Sequence, residues 1–146
     1  MKQFLVCLYI LILSCSLIAC SKGGGGTPAP TPVPPVVTEP SLTASNGVTV
    51  DIDPGASNIY AVVGTSQKMD VKLLAIPASG VTIDVKMVKL SDNTTVFTNN
   101  ISSTSLSNAV TITGLVPGVL YQVTVVVTSK TTASNTKTIE FKIAAK

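Results

Sequence analysis

Two groups of residues in this chain have types and spacings that could support chemistry. Asp51 and Asp53 flank one residue beside a Pro-Gly turn, so a strand would present both carboxylates on one face, as in some calcium sites. Ser134 and Lys137 have the Ser-x-x-Lys spacing in which a lysine can assist a serine nucleophile. Calcium takes about six to eight oxygen ligands, however, and no acidic cluster accompanies the two aspartates. Ser134 belongs to a polar connection rather than a helix, so we expect neither a metal site nor a catalytic serine.

The composition also argues against catalysis and nucleic-acid binding. The 146 residues include no histidine and no tryptophan, all ten basic residues are lysines, and the net charge is +3. The usual proton carriers and nucleophiles are therefore scarce. The positive charge is too small and too dispersed to attract nucleic acid. The sequence predicts a noncatalytic protein without a cofactor.

Cys20 is the cysteine whose surroundings indicate a reaction. Lys2 precedes a largely apolar segment at 4–19, which is followed by Cys20, Ser21 and Lys22. This is the layout of a signal peptide that ends at a small residue. Because the apolar segment is shorter than the roughly 20 residues of a membrane-spanning helix, a cleaved signal peptide is the better interpretation. An ordinary secretory peptide with a chance cysteine is the alternative.

The tetrapeptide Leu17-Ile18-Ala19-Cys20 resembles the lipobox of bacterial lipoproteins. The resemblance implies cleavage after residue 19 and lipidation of Cys20, through a thioether to diacylglycerol and usually an acylated amino terminus. Two or three lipid chains together would retain the protein on a membrane. Ser21 fits the sorting pattern of outer-membrane lipoproteins, and the sequence from Cys20 resembles the start of many lipoproteins of the Bacteroidota. Their surface-export signal continues with acidic residues, whereas this chain has glycines at 23–26. Exposure of the domain at the cell surface and orientation toward the periplasm therefore both stay open as alternatives.

A Gly/Pro-rich segment follows the cysteine. Six prolines lie within 28–40, directly after a run of four glycines, a composition typical of a tether. At about 3.1 Å per residue, the proline segment would extend roughly 40 Å. We therefore divide the chain into a signal peptide at 1–19, a lipidated cysteine and linker at 20–40, and one domain at 41–146. The last part has a length suited to a single core.

Apolar and polar residues alternate with period two through the domain at 41–146, as they do in strands with one buried face. No segment has helical periodicity, and turn residues separate the runs. Seven or so short strands predict an all-β fold, a single antiparallel β-sandwich, without a disulfide because no cysteine follows Cys20. We interpret Asn99-Asn100 as a turn. The strand with which the segment 41–63 pairs stays open. The alternating runs are 48–52, 69–73, 81–87, 110–112, 119–127 and 139–143.

The segment 115–123 resembles the fibronectin type III family, whose penultimate strand is reached through a leucine, a proline-glycine turn and a tyrosine. The matching residues are Leu115, Pro117, Gly118 and Tyr121. The resemblance implies that Tyr121 has its ring in the core and its hydroxyl bonded to upstream backbone. The family's early-strand tryptophan is absent, so a more distant immunoglobulin-like sandwich is the alternative.

Together these features predict a lipid-anchored cell-envelope protein that presents a noncatalytic sandwich for protein contacts or as a structural spacer. The expected partners are the membrane, through the lipid, and an envelope or surface protein. A carbohydrate-binding lipoprotein of a glycan-uptake system is the alternative, although aromatic residues that could stack on sugars are few. We expect contacts from the loops 99–108 and 129–136 or from an unpaired sheet edge.

Overall fold

Two β-sheets account for the alternation of apolar and polar residues. The computed structural model describes residues 38–52 and 59–146, and these ranges contain eight strands. Three strands form one sheet and five form the other, which confirms the prediction of an all-β sandwich. The strands are β1 (Val48–Ile52), β2 (Ile59–Val62), β3 (Ser66–Leu73), β4 (Val81–Lys89), β5 (Thr95–Ser103), β6 (Ser107–Thr113), β7 (Leu120–Ser129) and β8 (Thr136–Ala145).

The strand order is β1-β3-β6 in the smaller sheet and β2-β8-β7-β4-β5 in the larger one. Neighbouring strands are antiparallel except for β2 and β8, which run in the same direction. The eight strands agree with the predicted sandwich of about seven, and the parallel pairing of β2 with β8 is the one departure, among the described strands, from the predicted antiparallel arrangement. The chain changes sheets between β1 and β2, and the additional strand β2 extends the larger sheet beside β8. Period-two patterning does not encode strand direction, and for this reason the pairing of 41–63 stayed open.

The interpretation of Asn99-Asn100 as a turn is wrong. Both residues lie inside β5, where Asn99 is opposite Val85 and Asn100 is opposite Asp84. Asparagine is common in turns, but here the backbone ladder to β4 holds it in an extended strand. The expected contact loop at 99–108 is wrong for the same reason. Its first residues belong to β5 and its last to β6, which leaves a short connection at 104–106.

The core consists of the inward-facing side chains of both sheets. The largest fully buried side chains include Tyr121, Leu42, Met69, Ile83 and Met87. Each large apolar side chain that leaves water contributes about 1.5–3 kcal/mol, so these contacts dominate the stability. All buried hydrophobic residues of the described chain lie between positions 42 and 145. A segment from 38 to 146 therefore carries this core complete and is expected to fold as a unit.

Candidate functional site

Several predicted site residues lie outside the described chain. These are Cys20, the signal peptide at 1–19, most of the linker at 20–40 and Asp53. Asp51 is described and exposed, and it accepts a hydrogen bond from Lys72 Nζ at 2.5 Å. This hydrogen bond and the carboxylate charge raise the pKa of Lys72. The described part of the chain has no group of three or more His, Cys, Asp or Glu side chains that could hold a metal ion, nor a helix long and apolar enough to span a membrane.

Ser134 and Lys137 are separated by the start of β8. Ser134 is exposed in the connection between β7 and β8, whereas Lys137 lies within β8 opposite Val127. The pair is therefore not presented on one helical face, which is the arrangement that the spacing would need for catalysis.

Tyr121 anchors the connection between β6 and β7. Its side chain is completely buried, and its hydroxyl accepts a hydrogen bond from the Val116 backbone N–H at 2.9 Å. Leu115 is also buried, whereas Pro117 and Gly118 are exposed. Gly118 has a φ of 80°, a conformation that glycine adopts without steric cost. The Tyr121 hydroxyl thus connects the backbone of this turn to the core, and backbone hydrogen bonds from the Leu115 N–H to the Thr65 carbonyl and from the Gly118 N–H to the Ala145 carbonyl also hold the turn.

A hydrogen-bond network joins the segment before β1 to the connection between β7 and β8. Asn135 Nδ2 donates to Glu39 Oε1 at 2.7 Å and to the Pro40 carbonyl at 2.9 Å. Asn135 Oδ1 accepts from the Leu42 backbone N–H at 2.8 Å. Ser129 Oγ donates to Glu39 Oε2 at 2.9 Å. We call these five residues the N-terminal clasp, because they determine where the polypeptide joins the sandwich.

The electrostatics of the clasp favour an ionised Glu39. The hydrogen bond from Asn135 lowers the pKa of Glu39 against an opposing desolvation effect, and the hydroxyls of Ser129 and Thr132 add to the lowering. Hydrogen bonds to a charged acceptor are stronger than those between neutral groups. Next to this carboxylate, the Leu42 side chain is fully buried. The clasp therefore combines a charged acceptor at the surface with an apolar residue in the core.

The clasp and the Tyr121 turn lie at opposite ends of β7. Ser129 ends this strand and Leu120 begins it, so about 30 Å separate them at roughly 3.3 Å per residue. We call the end with the connections 74–80, 104–106 and 130–135 the proximal end, since the clasp is there. The other end, with the connections 63–65, 90–94 and 114–119, is the distal end.

Exposed apolar side chains are concentrated at the distal end. Val63 is 86% exposed, Val116 50%, Leu90 37% and Leu120 36%. Backbone hydrogen bonds hold the distal connections together, including one from the Leu90 N–H to the Leu120 carbonyl. Two further exposed leucines, at 74 and 106, lie at the proximal end. Four of the six exposed large apolar side chains of the described residues therefore lie at the distal end.

A shallow depression of about 430 Å³ lies over the pair β4 and β5. Its lining includes Asp84, Lys86, Thr98 and Asn100, and Asn100 Nδ2 donates to Asp84 Oδ1. None of the described residues that line it is aromatic. The depression offers polar groups of both charges but no ring on which a sugar could stack.

Sequence reasoning missed the clasp. Glu39 falls within the Gly/Pro-rich linker, and Asn135 falls within a polar connection where asparagine needs no special explanation. The two residues are 96 positions apart, so no local pattern relates them. The one available signal is that Glu39 directly precedes the last proline of the linker and the apolar Leu42 follows that proline by two positions, where the composition changes.

No protein-family model and no curated protein sequence matches this chain. Among solved structures, the sandwich is similar to the sensor domain of the anti-sigma factor RsgI4 from Pseudobacteroides cellulosolvens. A solution structure of that domain has a TM-score of 0.38 and 19% identity, covering 66% of this chain and 76% of that one. A structure of a shorter form of the same domain has a TM-score of 0.38 and 19% identity, covering 68% and 97%. These values assign neither a family nor a function to this chain.

Proposed function

We propose that this chain is a lipid-anchored protein of the outer membrane, held by a lipid on Cys20, whose sandwich makes noncatalytic contacts with another envelope protein through its distal end. The observation that carries the proposal is that the clasp lies at one end of the strand β7, whereas four of the six exposed large apolar side chains of the described residues lie at the other end.

The clasp determines which end of the domain connects to the linker. Glu39 is held by Ser129 and Asn135, so the chain that comes from Cys20 joins the proximal end. The distal end is then the part of the domain farthest from its point of attachment. A lipid-anchored protein can offer that end to a partner while the linker keeps the proximal end tethered.

The distal surface is suited to a protein partner. Its exposed valines and leucines would leave water on contact, which contributes about 25 cal/mol for each square ångström of apolar area buried. Asp92 is the one charged residue of the distal connections 63–65, 90–94 and 114–119. The hydrogen bond to Thr94 lowers the pKa of Asp92, so this carboxylate would add a polar, orienting contact at the rim.

We also propose that the domain is of the fibronectin type III-like kind. The bond between the Val116 N–H and the Tyr121 hydroxyl supports this assignment, since a tyrosine near the start of the penultimate strand bonds upstream backbone in such sandwiches. The parallel pairing of β2 with β8 departs from a wholly antiparallel pattern, and a more distant immunoglobulin-like sandwich is the alternative.

The anchor is tested by replacing its thiol. Full-length Cys20→Ala should lose incorporation of a labelled fatty acid and accumulate with its signal peptide uncleaved, because the thiol is the site of lipid attachment. Cys15→Ala is the matched control and should be lipidated and sedimented with membranes like the parent. A Cys20→Ala protein that carries as much label as the parent would contradict the lipid anchor.

The contact surface is tested separately by crosslinking in living cells. Val63→Asp combined with Val116→Asp should abolish the crosslink to an envelope protein, because both side chains are exposed and apolar at the distal end. Leu74→Asp is the matched control at the proximal end and should leave the crosslink intact. An unchanged crosslink in the distal variant would contradict the proposed surface, and specific glycan binding by the soluble domain would favour the carbohydrate-binding alternative.

A further inference from the structure

We propose that β5 is a self-association edge: two copies of this chain pair β5 with β5 in antiparallel orientation about Asn99, so that two five-stranded sheets continue into one another. The proposal goes beyond the function above and does not depend on the lipid anchor. It rests on the composition of the edge, on apolar side chains that the core leaves partly uncovered, and on the symmetry of the strand.

The described sheets end in four edge strands, β1, β2, β5 and β6. Proteins protect such edges with short strands, charged residues or proline, because an unpaired strand offers backbone hydrogen bonds to any other strand. β2 has four residues, and β1 has five and carries Asp51. β5 has nine residues with no proline, and no charged residue occurs anywhere from 93 to 129. Its edge therefore lacks these three protections, and the one bulge in the strand is confined to its beginning near Val96.

β6 shares the lack of charge but differs from β5 in what its side chains bury. The inward-facing Val110 and Ile112 of β6 are completely enclosed by the core. Phe97 and Ile101, on the inward face of β5, are only partly buried and pack at the margin of the core. Apolar area thus remains to be covered beside β5 and not beside β6. A further strand placed against β5 would cover it.

The sequence of β5 is complementary to itself when one copy is reversed. With Asn99 opposite Asn99 of the second copy, Phe97 of each copy lies opposite Ile101 of the other, and the two apolar side chains share the inward face. On the outward face, Thr98 lies opposite Asn100. Aromatic and branched cross-strand pairs of this kind stabilise antiparallel sheets. A bulge near Val96, where the register with β4 shifts, limits the regular edge to the following residues.

The charges of the neighbouring strand β4 also suit this arrangement. Asp84 is beside Asn100 and Lys86 is beside Thr98. The proposed register places Asp84 of one copy and Lys86 of the other in the same row across the joined sheet. Three strand spacings separate them, about 14 Å, so their attraction is weak, but no row contains like charges. In this register only residues 97–101 of each copy pair regularly, far fewer than the roughly 20–30 residues per partner of a standard interface, so we expect a dissociation constant in the high micromolar range.

Sedimentation of the segment 38–146 between about 10 μM and 1 mM tests the proposal, and the expected result is a reversible dimer. Thr98→Lys combined with Asn100→Lys places lysines directly opposite each other at the interface and should raise the dissociation constant at least about tenfold. Thr111→Lys combined with Thr113→Lys adds the same charge to exposed positions of β6 and should change it less than about threefold. Urea melts of both variants check that each is folded.

The register is tested with a cysteine at the symmetry axis. The segment 38–146 has no cysteine of its own, so Asn99→Cys can form a disulfide only between copies. We expect rapid disulfide formation in Asn99→Cys and slow formation in the control Ala109→Cys, which lies exposed on β6. A monomer at every concentration, equal weakening by both lysine variants, or equal crosslinking of both cysteine variants would overturn the proposal. A monomer that instead adds an extended peptide to β5 would overturn the second copy as its occupant.

Discussion

Replacing Asn135 is the most direct test of how the linker joins the sandwich. Its side chain makes three hydrogen bonds, to Glu39, to the Pro40 carbonyl and from the Leu42 N–H. The bonds to the Pro40 carbonyl and from the Leu42 N–H each contribute about 1 kcal/mol net, and the bond to the surface carboxylate of Glu39 adds a smaller, solvent-screened contribution. The side chain is only half-buried, so water can replace part of this. We expect Asn135→Ala to lower the free energy of unfolding by about 2–3 kcal/mol.

The measurement is a urea melt of the segment 38–146, followed by far-ultraviolet circular dichroism. For a slope of about 1.2 kcal/mol per molar urea, the midpoint should fall by roughly 2 M while the slope is unchanged. Ser134→Ala, in the same connection and exposed, is the control and should remain within about 0.5 kcal/mol of the parent. A difference of less than about 0.5 kcal/mol for Asn135→Ala would refute the clasp as a stabilising contact.

Asn135→Asp distinguishes the loss of the clasp from a general disturbance of the connection. The new carboxylate can still accept from the Leu42 N–H, but it removes the donor to Glu39 and places two negative charges together. We expect this variant to be unstable at neutral pH and to recover part of the loss on acidification, as a proton is taken up between the carboxyl groups. Asn135→Ala should show no such recovery, and an equal response of the two variants to pH would contradict the pairing with Glu39.

Three further predictions follow from the described contacts. The hydrogen bond from Asn135 holds the pKa of Glu39 below the ordinary value of a glutamate, so the contribution of Glu39 to stability is present above that ordinary value and is lost as the pH falls through the lowered pKa. Glu39→Gln should therefore flatten the acid limb of a stability-against-pH curve, and an unchanged limb would contradict this. Tyr121→Phe should cost about 1–2 kcal/mol in urea melts through the lost bond to the Val116 N–H, whereas an unchanged midpoint would contradict a role for that bond. Gly80→Ala should lower the free energy of unfolding by about 3 kcal/mol or more, because the added methyl group would meet a backbone carbonyl of β5. Gly118→Ala is the control: Gly118 has a similar positive φ but open space around it, so this change should cost about 1–2 kcal/mol. Equal losses in the two variants would contradict the steric argument.

Local patterns were sufficient for much of this fold. The alternation in residues 81–87 and 119–127 follows from the pleat of a strand, which sends successive side chains to opposite faces, and these runs form the central strands β4 and β7. The turn residues around Gly118 likewise act within a few positions. Both kinds of signal are short-range, so they can be read without knowing what the strands pair with.

The sequence by itself therefore determined the all-β class, the inward positions of the central strands and the scarcity of catalytic groups. The tertiary structure decided that β2 runs parallel to β8, that Asn99 lies in an extended edge strand, and that Glu39 meets Asn135. These three features depend on partners brought together from distant parts of the chain. A strand has the same period-two pattern whether its neighbouring strand is parallel, antiparallel or absent. A polar residue likewise has the same identity whether its side chain faces water or a hydrogen-bond partner. The partners of these strands and side chains are therefore decided only when the two sheets pack together.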